Sequence, residues 1–225
     1  MKRTVVPELL DSNAGSAGEI AGSLADLRMI NRWFGGASTF SKLMERVAKV
    51  SGKRQLSLLD VGAGSGDIAH AANAELGRKD VQISVTLLDR SPLHMTNSSQ
   101  ATIAGDALAL PFRDSSFDVV GCSTFAHHLE PNQLVEFANS ALRVARVAFV
   151  INDLRRHPAH LALVYAGFPL FRSRLTRHDG PASVRRAYTP EEMADLLQQT
   201  SAKHVELSNH YLYRLGAIAW KEWRD

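Results

Sequence analysis

The sequence predicts an α/β fold, a mostly parallel sheet with helices on both faces, and three observations carry that expectation. Short apolar runs alternate with helical patterns from Leu56 to Asp153, the first run closes on a glycine cluster, and two consecutive strands finish the chain. Alternation of this kind implies right-handed crossovers between parallel strands. Residues 11–22 (DSNAGSAGEIAG) form a loose lead-in rich in Gly, Ser and Ala. From Glu19 the spacing turns helical, with Ile20, Leu24, Leu27 and Ile30 on one face, and it stops at Gly35-Gly36. A second helix runs from about Thr39 to Val50, with Phe40, Leu43, Met44 and Val47 apolar.

Strands follow at Leu56–Val61, Ile83–Asp89, a short one ending at Asp106, Asp118–Ser123 and Val147–Asp153. Helices are expected at about Asp67–Leu76, after Pro92 and at Pro131–Val144. In the tail, Thr189-Pro190-Glu191-Glu192 is a capping box with Pro at the first helical position, opening a helix to about Gln199. The strands Lys203–His210 and Leu212–Lys221 have almost nothing between them, which forces them antiparallel.

The 225 residues suffice for one substantial buried core. With 45% hydrophobic and 22% charged residues the composition is that of an ordinary globular chain. The net charge of +3 and pI near 9.2 admit acidic ligands, but no long basic stripe marks a nucleic-acid partner. The lone Cys122 excludes an internal disulfide framework and suits a reducing compartment. No secretory h-region follows Met1, and the longest apolar run, the 11 residues Leu161–Phe171, is too short to span a bilayer. A cytoplasmic chain is the expectation; oligomeric state is not legible.

The stretch LLDVGAGSGDIA places Asp60 at a strand end, then Gly62, Gly64 and Gly66, then a helix. Glycines at such a turn let a ligand approach the backbone. The dinucleotide fingerprint G-x-G-x-x-G is not met, because the last glycine arrives one residue early and Asp67 stands in its place. Asp60 and Asp67 at the mouth would repel a pyrophosphate and suit a ligand with an ammonium and a sulfonium, which favours S-adenosylmethionine over NAD. Asp89, 23 residues after Gly66 and followed by Arg90, can accept both hydroxyls of a ribose; as a bland alternative it caps a helix after Pro92. Asp106 can accept from an adenine amino group while Ala107 offers its N–H to the ring.

With these residues in place the chain resembles the class I S-adenosylmethionine-dependent methyltransferases, especially the small-molecule branch with the ubiquinone and menaquinone C-methyltransferases. The likeness runs from about Leu56 to Asp153: DVGAGSG (Asp60, Gly62, Ala63, Gly64, Gly66) matches the glycine loop, Asp89 the ribose acid, Asp106-Ala107 the adenine-side pair, and FDVVGCSTFAHHLE the fourth-strand motif with Ser123 beside the methyl group. It implies a Rossmann-like seven-stranded sheet with an antiparallel last strand, an N-terminal helical lid over 1–55, and a cofactor-binding domain over 56–225.

Methyl transfer is an in-line displacement, so holding the acceptor and methyl group about 3–3.5 Å apart supplies much of the catalysis. A base matters only where the acceptor must lose a proton. His127 and His128 follow the fourth strand and are candidates for that work or for shaping the pocket; His178 is a third. From Asp153 to Arg186 the chain has seven Arg and no Lys, and about 154–188 reads as an acceptor-side insertion. Asn152, Asp153, Arg177, Arg186 and Tyr188 are its substrate-binding candidates, Arg being suited to a planar anion, while a solvated loop with internal ion pairs explains the same composition. Arg32, or Asn31, in the N-terminal helix can reach the cofactor's carboxylate.

Asn152-Asp153-Leu154 with TRHDGP and SVRRAYTP is similar to a subgroup of bacterial methyltransferases of natural-product or polyketide-type biosynthesis. That implies an aromatic or polyketide-type hydroxyl or ring carbon as acceptor. An RNA methyltransferase is disfavoured because Cys-Ser-Thr-Phe-Ala replaces the Pro-Pro-aromatic signature of base-amino methylation. A non-catalytic S-adenosylmethionine-binding protein and an NAD-dependent oxidoreductase are the other rivals. No metal is expected, since the scattered His residues lack ligand spacing.

Overall fold

The computed structural model describes residues 1–12, 14–91 and 100–223. The helix-like segment expected after Pro92 lies outside them. Seven strands form one sheet in the order β3-β2-β1-β4-β5-β7-β6. They are β1 (Gln55–Val61), β2 (Gln82–Asp89), β3 (Ala101–Ala104), β4 (Phe117–Ser123), β5 (Ala145–Leu154), β6 (His204–His210) and β7 (Arg214–Trp220). The first five pair in parallel, whereas β7 runs antiparallel to both β5 and β6. The sheet is therefore the seven-stranded one with an antiparallel last strand.

Alternation along the strands divides the core in two. Leu59, Val61, Val120, Cys122, Phe149 and Ile151 face one side, where α4 (Pro131–Val144) and α7 (Pro190–Gln198) bury Leu134, Phe137, Ala138, Met193 and Leu197. Leu58, Val119, Ala148 and Val150 face the other, covered by α2 (Gly36–Ser51) and α3 (Asp67–Gly77) through Phe40, Leu43, Met44, Val47, Ile68 and Ala72. Side chains of opposite parity on one strand point to opposite faces, so both faces must be apolar. Of the 1–55 segment, α2 is thus a core helix of the sheet.

The remaining helices lie at the carboxyl edge of the parallel strands. α1 (Ala17–Trp33) opens with a Ser16 capping box and buries only Ser23 and Asp26. Asp26 accepts from the backbone N–H of Arg172 (2.9 Å) and Ser173 (3.0 Å), tying α1 to the start of α6 (Arg174–Arg186). α5 (Pro158–Ala166) completes this layer.

Three expectations need correction. The short third strand ends at Ala104, and Asp106 instead caps a three-residue 3-10 turn by accepting from the Leu108 N–H at 3.0 Å. The Arg-rich segment from Thr176, expected between two helices, is itself helical: Pro181 is buried inside α6 and the Ser173 side chain caps the helix. The last strand starts at Arg214 because Leu212 and Tyr213 adopt positive φ (51° and 60°), making a turn that no glycine announces. Tyr213 is held there by stacking on His157 (4.9 Å) and His160 (5.5 Å) and by its carbonyl, which accepts from Arg155 N–H at 2.8 Å.

Candidate active site

Sheet order reverses between β1 and β4, where ligands of open α/β sheets bind. A cavity of about 1010 Å³ opens there. Of the residues the sequence singles out, Asp60, Gly62, Ala63, Gly64, Asp89, Arg90, Asp106, Ala107, Ser123, His127 and His128 line it.

The glycine turn is built by close packing. A Cβ on Gly62 (φ 65°) would run into the Phe125 ring, and one on Gly66 (φ 73°) would come within 2.6 Å of Leu87 Cδ1. Gly66 accordingly seats α3 against β2 and does not line the cavity, whereas nothing lies within 4 Å of a Cβ built on Gly64. Asp89 organises the turn by accepting from Gly64 N–H (2.8 Å) and Ser91 N–H (2.9 Å), one on each oxygen. Asp60 is 2% exposed with Oδ1 unpartnered, and burial, helped by the charge of Asp89, pushes its carboxyl up to about 7.

At the other end of the cavity the histidine pair meets residues from the N-terminus. Residues 1–11 lie across α6 and the His127–His128 turn: Arg3 donates to the carbonyls of Arg186 (2.8 Å) and Leu129 (2.9 Å), and Leu9 and Leu10 N–H donate to Asp179 (2.8 and 3.0 Å). This strap delivers Glu8 and Asp11. His127, 2% exposed, contacts Asp153 through Nδ1 (2.7 Å) and faces Glu8 Oε1 with Nε2 at 3.5 Å, an ion-pair separation too long for a good hydrogen bond. Its Nε2 has no hydrogen-bond partner. Burial disfavours charge on His127, but Asp153 and Glu8 outweigh it and raise its pKa to about 10. Burial likewise opposes charge on Glu8, yet His127, His128 and Ser183 lower its pKa to about 2. His128 Nδ1 meets Asp11 Oδ2 at 2.9 Å, and its Nε2 lies 3.9 Å from Glu8 Oε2.

The candidates drawn from the Arg-rich segment do not converge. Arg177 and His178 are exposed, Arg177 donating to the Phe171 carbonyl (2.9 Å) and His178 contacting Asp179 (2.8 Å). Arg186 donates to the His128 carbonyl and Tyr188 Oη to the Leu129 carbonyl (2.7 Å), so both brace the histidine turn from behind. Asp153 holds His127, and Asn152 is buried, donating to Ser123 Oγ and the Gly36 carbonyl. Arg32 is exposed beside the Trp33 ring, outside the cavity; Asn31 lines it.

Besides Arg90, the arginine that reaches the cavity is Arg214. The β5–β7 register places it opposite Leu154, at the ligand edge of the sheet. It is 2% exposed, donates to Asn31 Oδ1 (3.0 Å) and the Phe34 carbonyl (3.4 Å), and leaves Nη1 unpartnered. Burial lowers its pKa to about 10 against the pull of Asp153, so it stays cationic at neutral pH. Composition could not single it out; its signal was its place at the start of the last strand.

Expected helical faces could have sorted the rest. Thr176, Asp179, Gly180 and Ser183 of α6 line the cavity at three- and four-residue spacing, and Arg177 and His178 fall off that face. α1 gives Leu24, Leu27 and Ile30 to the cavity, so its apolar stripe serves a ligand space. Glu8, His127 and His128, far apart or unspaced as ligands in the sequence, bring possible ligand atoms within 4.8 Å of one another.

The architecture is the class I S-adenosylmethionine-dependent methyltransferase fold. Residues 59–148 match the family model described as a methyltransferase domain. Among solved structures, the plantazolicin methyltransferase BamL, in complex with a triazolic desmethylPZN analog and SAH, is 14% identical with a TM-score of 0.69, over 92% of each chain. A SAM dependent methyltransferase from Aquifex aeolicus is 18% identical with a TM-score of 0.55, over 79% of this chain and 89% of that one. The citrinin polyketide synthase CMeT domain is 13% identical with a TM-score of 0.57, over 79% of this chain and 50% of that one. No curated protein matches significantly. No helix among the described residues is long and apolar enough to cross a membrane.

Proposed function

We propose that this chain transfers a methyl group from S-adenosylmethionine to a small organic acceptor, an aromatic or polyketide-type hydroxyl or ring carbon. One observation carries the reading: a single cavity of about 1010 Å³ runs from the strand-end acids to the histidine turn and Arg214. That volume is at the top of the range for small-molecule sites, about 300–1,000 Å³, enough for a nucleoside and a second ligand. The similarity to structures from plantazolicin and citrinin biosynthesis supports a small natural-product acceptor.

The donor set fits a cationic nucleoside. Asp60, Gly62, Ala63 and Gly64 take its methionine end, Asp89 with Arg90 beside it takes the ribose, Asp106-Ala107 the adenine, and Ser123 stands at the end of β4. When bound, S-adenosylmethionine supplies an activated methyl on a sulfonium. The protein's part is to exclude water, orient the acceptor, and take up a proton where the acceptor is a hydroxyl. α1 with the strap acts as the lid, and α5 and α6 form the acceptor-side wall. Glu8, His127 and His128 form its polar end. Arg214, whose buried Nη1 has no partner, selects a carbonyl or anionic oxygen on the acceptor. The test is mass spectrometry of extracts given purified enzyme and donor: a product heavier by one methylene supports the reading, and a product that disappears on nuclease treatment refutes the small-molecule acceptor.

Two further outcomes follow. Asp60 is largely protonated below pH 7 in the free protein, and a ligand ammonium favours its ionised form, so binding releases a proton. Cofactor affinity therefore rises as pH increases from about 6 to 8, and Asp60→Asn flattens that dependence in titration calorimetry. Arg214→Lys keeps the charge but loses the planar fork, so acceptor KM rises about 10-fold in steady-state assays while cofactor affinity stays near wild type.

A further inference from the structure

We propose that Glu8, His127 and His128 form a site for one divalent first-row transition ion, such as Zn²⁺, at the acceptor end of the cavity. Glu8 precedes the adjacent histidines by 119 and 120 residues, and the strap brings it to them. Their separations are close to those an ion imposes. Four-coordinate bonds of about 2.0–2.2 Å space neighbouring ligands about 3.4 Å apart. Here His127 Nε2 lies 3.5 Å from Glu8 Oε1, and His128 Nε2 lies 3.9 Å from Glu8 Oε2.

Three independent features distinguish this from an ordinary ion pair. His127 Nε2 is buried, aimed at the cluster and without a hydrogen-bond partner. Both imidazoles have their other nitrogen held by a carboxylate, Nδ1 of His127 by Asp153 (2.7 Å) and Nδ1 of His128 by Asp11 (2.9 Å). That is how metal-binding histidines are oriented, because it fixes the tautomer with Nε2 free for the ion. Glu8 Oε1 in turn accepts from Ser183 Oγ at 2.8 Å. Two imidazoles and one carboxylate suit a transition ion better than Ca²⁺ or Mg²⁺, which prefer all-oxygen shells.

Glu8, His127 and His128 all line the cavity, so coordination positions not filled by protein face the acceptor space. An ion there would bind an acceptor oxygen directly and stabilise its deprotonated form as a Lewis acid. This last role rests on the methyl-transfer reading; metal binding itself does not.

The experiment uses the full chain, stripped with a chelator, dialysed, and titrated with Zn²⁺ by calorimetry and with Co²⁺ by visible absorption, with no nucleoside present. One ion per chain is expected, with Co²⁺ d–d bands of a low-symmetry nitrogen and oxygen site. Glu8→Gln and His128→Ala should each weaken binding at least 100-fold, and Asp11→Asn about 10-fold, the size typical of losing a group that orients a ligand. His204→Ala, on β6 and outside the cavity, should bind as wild type. Circular dichroism melting checks that each variant is folded. Absence of binding to the folded wild type overturns the site, as does binding that survives the folded Glu8→Gln, His128→Ala double variant. Either result leaves the methyl-transfer reading standing, because the titration contains no cofactor.

Discussion

Asp89→Ala weakens binding of S-adenosylhomocysteine roughly 100-fold in titration calorimetry. On the proposed ribose assignment, two charge-assisted hydrogen bonds to ribose hydroxyls, each worth about 1.5–3 kcal/mol, go with the carboxylate, and a loss of about 3 kcal/mol is that factor. The same carboxylate also positions the cofactor's cradle, since it accepts from Gly64 and Ser91 N–H. Removing it loosens the turn whose glycines pack on Phe125 and Leu87. Asp89→Asn keeps an acceptor oxygen for the turn and loses the charge, so its affinity falls between the two. Wild-type affinity in Asp89→Ala would remove the ribose assignment.

Asp153→Ala has the largest expected effect on stability. Asp153 is 1% exposed and accepts from His127 N–H (2.8 Å), His127 Nδ1 (2.7 Å) and Leu154 N–H (2.7 Å). Its removal leaves the buried His127 ring with Glu8 alone and strands two backbone donors. Breaking a buried ion pair from one side costs about 3–5 kcal/mol. At about 2–4 °C per kcal/mol for a chain of this size, the melting temperature falls by roughly 10 °C. Because β5 and the histidine turn are joined through this residue, thermal melting should also show a broader transition. Asp153→Asn retains an acceptor for the backbone and loses less. A melting temperature within 2 °C of wild type in Asp153→Ala would contradict the buried-pair account (roughly the shift of a single surface substitution).

The residues legible in sequence were those whose position follows from local pattern. A strand, a tight glycine turn and a helix start within 12 residues, so Asp60, Gly62 and Gly64 could be placed at the sheet edge from spacing alone, and Asp89 from the end of the next apolar run. The antiparallel tail was legible because a three-residue connection permits nothing else. The acceptor end was not, because it is assembled by long-range contacts. Glu8 and Asp11 reach the histidine pair across more than 110 residues of chain, through a strap with no helical or strand periodicity to announce it. The Arg-rich stretch misled for a different reason. Charge density along the sequence says nothing about which helix face is wet, and α6 turns Thr176, Asp179 and Ser183 inward while Arg177 stays outside. Arg214, an isolated arginine in an apolar strand, carries the buried charge instead.

In the proposed function the row of carboxylates at the sheet edge receives a sulfonium nucleoside. Titration calorimetry of the wild-type chain with S-adenosylhomocysteine and, separately, with NADH tests this most directly. Saturable binding of one S-adenosylhomocysteine per chain, with no heat from NADH, is the predicted result. A folded protein that gives no heat with S-adenosylhomocysteine, or that prefers NADH, would contradict it.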